Sequence, residues 1–99
     1  MDVEYGFFIW DDKKEAENIL KHDIDFRTAS RAFLDPSRKI ARDSKHSGED
    51  EVRKFCVGKV DNKIMTVRFI NRDKKIRLIG AGYWRQGRAF YYDKETTRF

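Results

Sequence analysis

Apolar residues along the chain switch between the spacing typical of strands and the spacing typical of helices. The segment YGFFIW, residues 5–10, is aromatic and β-branched, and Asp11 and Asp12 follow it, so it predicts a strand and then a helix capped by these aspartates. Asp12 and Glu15 have the spacing of a capping box. The apolar positions of this helix recur at helical intervals and form its predicted core stripe: Ala16, Ile19 and Leu20.

A second helix is predicted in DFRTASRAFLDP, residues 25–36, with Asp25 as its cap and Pro36 as its end. Its apolar stripe consists of Phe26, Ala29 and Phe33. Residues 37–50 are mostly charged and small, which indicates a solvated connection with a brief strand around Ile40.

Three strand-like runs come next, over residues 51–60, 63–70 and 75–82, and the turn sequences DN and NRDK separate them. They predict an antiparallel meander. Residues 83–95 return to helical spacing. The chain is therefore predicted to be one α+β domain over residues 1–99, in which helices cover one face of a small antiparallel sheet.

Side-chain parity divides the meander into two faces. The predicted core face carries Val52, Cys56, Met65, Val67, Phe69, Ile76 and Leu78. The other face carries three arginines, with Arg68 opposite both Phe55 and Arg77, and Arg53 opposite Ile70. These arginines either bind a ligand or are ordinary solvated strand residues.

The stretch GAGYWRQGRAFYY, residues 80–92, joins the last strand to the last helix. It lacks the third glycine and the following strand of a dinucleotide fingerprint, so that interpretation is discarded. Two interpretations remain open, an anion-binding backbone turn and a turn whose glycines only satisfy backbone angles. One or two of its five rings are expected to be exposed, and bases of RNA stack on such rings beside arginines, which makes Tyr83, Trp84 and Arg88 candidate RNA-binding residues.

Composition narrows the class of partner. Among 99 residues, 22 are Lys or Arg and 17 are Asp or Glu, and the net charge of +5 favours polyanions, although many basic proteins bind none. Cys56 is the single cysteine, which excludes an internal disulfide and fits a buried thiol in a reducing, cytoplasmic compartment. The N-terminus has no basic signal segment or membrane-length apolar run. No metal or cofactor site is predicted, and His46 is a candidate general acid or base, or an exposed histidine without a role.

Several segments in order, IWDDKKEAENILKHDIDF, ASRAFLDP, HSGEDEVRKFCVGKV and RDKKIRLIGAGYWRQGRAFYY, resemble the BrnT toxins of bacterial type II toxin–antitoxin systems. The resemblance spans about residues 8–92. It implies a RelE-like fold, RNA cleavage that stops translation, neutralisation by a BrnA antitoxin and repression of the operon together with that antitoxin.

Individual residues of this sequence match positions in the motifs of the resembled family. The opening motif of the family is present as Trp10, Asp11, Lys14, Asn18, Lys21 and His22, with Asp23 where a glycine is usual. The later matches are Asp35, Pro36, His46, Glu51, Arg53 and Arg77. Gly80 and Gly82 stand where many members have a serine and a second arginine, and Arg85 or Arg88 is expected to supply the displaced charge.

The predicted function is a metal-independent ribonuclease toxin. Its proposed base is Glu51 or His46, its phosphate stabilisers are Arg53, Arg68 and Arg77, and its proton donor or substrate clamp is Arg85 or Tyr91. The alternative is a non-catalytic BrnT-like protein that binds its antitoxin and, through it, operator DNA. A free-standing RNA-binding module is a third hypothesis.

Overall fold

A computed structural model describes residues 1–48 and 51–94, so the ends of the predicted connection and of the last predicted helix, residues 49, 50 and 95, lie outside the described residues. The strands are β1 Asp2–Tyr5, β2 Phe8–Asp11, β3 Lys39–Arg42, β4 Arg53–Val60, β5 Lys63–Arg72 and β6 Lys75–Gly82. The helices are α1 Asp12–His22, α2 Phe26–Ser30 with a 3₁₀ turn over Arg31–Leu34, and α3 Arg85–Tyr92. The α+β class and the brief strand around Ile40 are confirmed.

The strands form one sheet in the order β1-β2-β6-β5-β4-β3. The predicted meander of β4, β5 and β6 is confirmed, but the sheet is mixed, because β2 runs parallel to β6. A wholly antiparallel sheet was the wrong prediction. After the N-terminal helices the chain re-enters the sheet as β3 at the far edge, and the meander then brings β6 beside β2 in the same direction.

The N-terminal strand prediction, residues 5–10, is also corrected. A hairpin occupies this region, in which β1 pairs antiparallel with β2 and Gly6 turns the chain with a φ of 61°. All four residues of β1 are exposed, so the segment has no buried face from which hydrophobic patterning would have revealed a strand.

The β5–β6 pairing differs from the predicted one. Asp73 and Lys74 form a two-residue turn with positive φ, and Arg77 pairs with Ile70. A bulge between Arg68 and Phe69 then sets Arg68 opposite Gly80, so the predicted pairing of Arg68 with Arg77 is wrong. The pairings of Arg53 with Ile70 and of Phe55 with Arg68 are confirmed, and the arginines do share one face.

Helices cover both faces of the sheet, not one. The main core lies under α1, α2 and the 3₁₀ turn, and its predicted strand residues are buried: Cys56, Met65, Val67, Phe69 and Leu78. Ile76 is partly buried, and Val52 precedes β4 and is exposed, which corrects its assignment to the core. On the opposite face α3 covers a smaller cluster through Phe90, so part of the predicted basic face is not open.

Helix α1 contacts the sheet through polar groups rather than through its predicted apolar stripe. Ala16 and Ile19 are exposed, and Leu20 is 88% exposed. Its buried residue is Asn18, which donates to the Ile24 carbonyl and accepts from the Ala81 N–H at 3.0 Å. The second bond gives a partner to a backbone N–H of β6 beyond Arg77, where β2 no longer pairs with that strand. Hydrogen bonding rather than apolar burial therefore orients α1.

The ends of α1 are defined by local chemistry. The Asp11 carboxylate caps the helix by accepting from the Lys14 N–H, and Asp23 ends it in the left-handed conformation. The predicted capping box is not formed, because Glu15 accepts instead from the Trp10 indole N–H at 3.0 Å and the Phe26 N–H at 2.8 Å. The cap of α2 by Asp25 is confirmed.

Candidate active site

The loop between β3 and β4 fixes the position of His46. Asp43, only 5% exposed, accepts from the backbone N–H groups of Lys45 and His46, and its carboxylate lies 2.8 Å from His46 Nδ1. An ionised carboxylate only accepts hydrogen bonds, so Nδ1 carries the proton and the lone pair of neutral His46 is on Nε2. Sequence reasoning found His46 and missed Asp43.

Two further contacts attach this loop to β4. The Asp43 N–H donates to the Arg53 carbonyl at 2.8 Å, and the Arg53 N–H donates to Ser47 Oγ at 2.9 Å. Ser47 Oγ in turn donates to the Asp43 carbonyl. The histidine is therefore held by the sheet backbone, which is the support that a catalytic base requires.

His46 borders a cleft of about 170 Å³, here called the His46 cleft. Its lining residues are His46, Phe55, Thr66, Arg68, Trp84 and Gln86. Within residues 1–48 and 51–94, the half-buried Arg68 side chain makes no ion pair or hydrogen bond. The cleft thus joins an oriented imidazole, a guanidinium available to an anion and a ring that is 36% exposed.

A second cleft, of about 130 Å³, shares Arg68 and Trp84 with the first and is called the α1 cleft. Helix α1 contributes Lys14, Lys21 and His22 to it. The His22 and Trp84 rings are 5.3 Å apart, edge to face. His22 and His46 are far apart in the sequence, but in the fold each lines a cleft that contains Arg68 and Trp84. The residues matching the opening motif of the resembled family were the signal that pointed to Lys14, Lys21 and His22.

Glu51, Arg53 and Arg77 lie in a different arrangement, called the ion-pair cluster and made of Asp2, Glu51, Arg53, Arg72 and Arg77. Arg77 binds the Asp2 carboxylate with both terminal nitrogens, at 3.0 and 2.8 Å, which raises the pKa of Arg77 and lowers the pKa of Asp2. Glu51 pairs with Arg72 at 2.9 Å and with Arg53 at 3.5 Å. None of Glu51, Arg53 and Arg77 lines the His46 cleft.

Tyr91 also lies away from the His46 cleft. Its hydroxyl donates to Asp35 at 2.5 Å, and this bond together with burial raises the pKa of Tyr91 to about 12. Burial would raise the pKa of Asp35, but the hydrogen bonds from Tyr91 and from the Lys59 and Ser37 N–H groups outweigh burial and lower it. This pair attaches the end of α3 to the segment after the 3₁₀ turn.

The remaining candidates surround a third cleft of about 270 Å³, called the Tyr83 cleft. It is lined by Asn62, Lys63, Ile64, Tyr83, Trp84, Arg85 and Arg88. Trp84 is common to all three clefts. Tyr83, Trp84 and Tyr92 are exposed, so more rings are open than the sequence predicted, because only Phe90 of the five is fully buried.

The glycines before and within α3 are explained by packing. A Cβ on Gly82 would lie 2.6 Å from Trp84 Cζ2, and one on Gly87 would lie 1.9 Å from Thr66 Oγ1. Gly80 has no such restriction, since its nearest neighbour, Asn18 Oδ1, would be 3.7 Å away. Of the two interpretations of this turn, close packing of Trp84 and α3 on the sheet accounts for Gly82 and Gly87.

A cleft of about 400 Å³ lies near the 3₁₀ turn, where Arg31 is already paired with Asp61. Among the described residues there is no cluster of three or more His, Cys, Asp or Glu suited to a metal ion. Burial raises the pKa of the Cys56 thiol to about 12, so it is a poor nucleophile, as predicted. None of the described helices is both long and apolar enough to cross a membrane.

Comparison with known families gives one match. The family model described as the ribonuclease toxin BrnT of type II toxin–antitoxin systems matches residues 10–87. This range contains every described residue that lines the His46 cleft and the α1 cleft. Of the residues that line the Tyr83 cleft, Arg88 lies one position beyond the range. No curated protein matches the chain.

Proposed function

This chain belongs to the BrnT family of type II toxin–antitoxin ribonuclease toxins, and we propose that it cleaves single-stranded RNA at the His46 cleft. The observation that carries the proposal is the meeting of three groups at one cleft: His46 held by Asp43, Arg68 without an ion pair among the described residues, and the exposed Trp84 ring. These are a base, a phosphate-binding cation and a stacking surface.

His46 acts as the general base. With its Nδ1 proton donated to Asp43, its Nε2 accepts the proton of the ribose 2′-hydroxyl. The 2′-oxygen then forms a bond to the adjacent phosphorus while the bond from phosphorus to the 5′-oxygen breaks. The products are a 2′,3′-cyclic phosphate and a 5′-hydroxyl. This transesterification needs neither a metal nor a redox partner.

Arg68 stabilises the extra negative charge on the phosphorane, because its planar guanidinium can donate two parallel hydrogen bonds to phosphate oxygens. The leaving 5′-oxygen needs a proton, and His22 is the group we assign to donate it, since its ring contacts Trp84 in the cleft that shares Arg68. Lys14 and Lys21 add positive charge beside the same phosphate.

A type II toxin has a protein antitoxin as its partner. We propose that this antitoxin is BrnA-like and covers the clefts with an acidic segment, since opposite charge increases both affinity and association rate. The complex would bind operator DNA through the antitoxin. We further propose a RelE-type fold and inhibition of translation in the cytoplasm, both of which rest on the family resemblance.

The test is incubation of the purified chain with single-stranded RNA in EDTA. We expect fragments with 2′,3′-cyclic phosphate ends, loss of cleavage in His46→Ala, and retained cleavage in the exposed control Lys13→Ala. Cleavage that disappears in EDTA and returns with magnesium would contradict the metal-free mechanism. Intact RNA and normal growth after expression without antitoxin would favour the non-catalytic alternative.

A further inference from the structure

The Tyr83 cleft is a second candidate binding site that the cleavage mechanism does not use. It is larger than the His46 cleft, about 270 against 170 Å³, and the two clefts have Trp84 as a common wall. The two clefts therefore adjoin at Trp84, and a ligand bound in the His46 cleft lies next to the Tyr83 cleft.

Its charge favours an anion. Lys63, Arg85 and Arg88 line it, and none of its described lining residues is acidic. Across residues 1–48 and 51–94 none of these three cations forms an ion pair. The cleft near the 3₁₀ turn differs in this respect, because its arginine is already bound by Asp61. Unpaired cations around a concave surface bind phosphate groups well.

Its rings favour a planar ligand. Tyr83 is 47% exposed, and Lys63 Nζ lies 5.3 Å above its ring, so a cation and an aromatic face are already adjacent. The turn that carries both rings is held rigidly, since Trp84 packs directly on Gly82 and α3 packs on Thr66 at Gly87. Base stacking on such a preformed surface avoids the entropy cost of ordering it.

We propose that the Tyr83 cleft binds a nucleotide of single-stranded RNA that flanks the cleaved linkage, with its base against Tyr83 and its phosphate on Arg85 and Arg88. This inference rests on the proposed ribonuclease function for its placement beside the cleaved linkage. An unpaired strand is required because a base within a duplex has no free face to stack. A protein partner fits less well, because Ile64, the one aliphatic side chain among the described lining residues, is buried.

The experiment measures binding of 2′-O-methyl oligonucleotides, which lack the attacking hydroxyl, with lengths of two and four nucleotides. Trp10 is buried, so quenching of tryptophan fluorescence reports on Trp84. We expect the tetramer to bind wild type more tightly than the dimer. Tyr83→Ala should weaken tetramer binding about tenfold and Arg88→Ala several-fold, so that most of the length advantage disappears. Lys13→Ala, an exposed lysine outside all three clefts, should change affinity less than twofold.

Equal tetramer affinity in wild type, Tyr83→Ala and Arg88→Ala would overturn the proposal. So would an equal loss for dimer and tetramer, or a loss confined to antitoxin binding, which would make the cleft a protein-binding surface. A wild-type chain that shows the length advantage but cleaves no unmodified RNA would support the nucleotide site and reject the ribonuclease function. The two ideas therefore fail separately.

Discussion

The His46 cleft and the ion-pair cluster lie on the same face of one sheet, and both contain arginine, yet the arginine of the cleft and those of the cluster differ in their partners. Arg68 has no partner among the described residues and borders two clefts. Arg77 is bound by both oxygens of Asp2, and Arg53 and Arg72 share Glu51. Strand parity alone placed Arg53, Arg68 and Arg77 on one face and did not distinguish among them.

The difference shows that partner occupancy, more than sequence position, separates a ligand-binding arginine from a structural one. A guanidinium already bound by two carboxylate oxygens must lose those bonds before it can bind phosphate. The pairing also attaches β1, which is otherwise fully exposed, to β6. We therefore expect the cleft and the cluster to respond differently to mutation.

The largest effect is expected at His46. Loss of a general base costs about 10²–10⁴-fold in rate, so His46→Ala should lower kcat/KM by that amount with little change in melting, because the ring is exposed. The measurements are kcat/KM for RNA cleavage and thermal melting on the same samples. Near-normal cleavage by a folded His46→Ala would exclude His46 as the base.

Next in size is Arg68→Ala, which should reduce the cleavage rate about 10²–10³-fold by removing phosphate stabilisation in the transition state. Arg68→Lys should recover only part of the rate, because lysine keeps the charge and loses the planar fork. Rates and thermal melting are to be measured on the same samples. Near-normal cleavage by Arg68→Ala would remove the basis for contrasting the two regions.

The third prediction concerns the wall of the clefts. Gly82→Ala forces a Cβ into the Trp84 ring and should lower the free energy of unfolding by about 1–3 kcal/mol and displace Trp84. Gly80→Ala is the matched control, since its Cβ meets only ordinary contacts and should change stability by less than about 0.5 kcal/mol. Urea unfolding followed by tryptophan fluorescence distinguishes them, and equal effects would contradict the packing explanation.

Arg77→Ala tests the other region. It should lower the melting temperature by a few degrees by releasing β1, and cleavage should change much less than in Arg68→Ala. Because Asp2 has a lowered pKa in the folded chain, the pair stabilises above the ordinary aspartate pKa and is lost as pH falls through the lowered value. Asp2→Asn should reproduce the melting change. A hundredfold loss of cleavage in a stable Arg77→Ala would restore the catalytic role predicted from sequence.

The smallest effect is the titration of Tyr91, another paired group. Its pKa of about 12 lies above the ordinary value of 10.0, so the stabilisation is complete below pH 10 and disappears as the pH rises through 12. Asp35→Asn should move this titration back toward the ordinary value. Ultraviolet absorbance of the phenolate measures it, and a Tyr91 that titrates with the exposed tyrosines would show that the hydrogen bond is weak.

Local chemistry made much of the fold predictable. Asp11 and Asp25 were recognisable as helix caps, and the turns at residues 61–62 and 73–74 were recognisable as breaks between strands. Alternation identified the core strands because both the pleat and the burial have a period of two. The resemblance to the BrnT family also pointed to Lys14, Lys21 and His22, which match its opening motif. The family model that matches residues 10–87 confirmed the resemblance.

Sequence by itself determined the Asp11 and Asp25 caps, the meander, most of the buried strand residues and the family, because each depends on neighbouring residues or on a repeated spacing. Only the tertiary structure decided which arginine is paired. Asp2 and Arg77 are 75 positions apart, and the two-residue turn at Asp73 and Lys74 sets Arg77 opposite Ile70 instead of Arg68. Such contacts depend on strand order and register, which are properties of the whole sheet and leave no periodic signal in the chain.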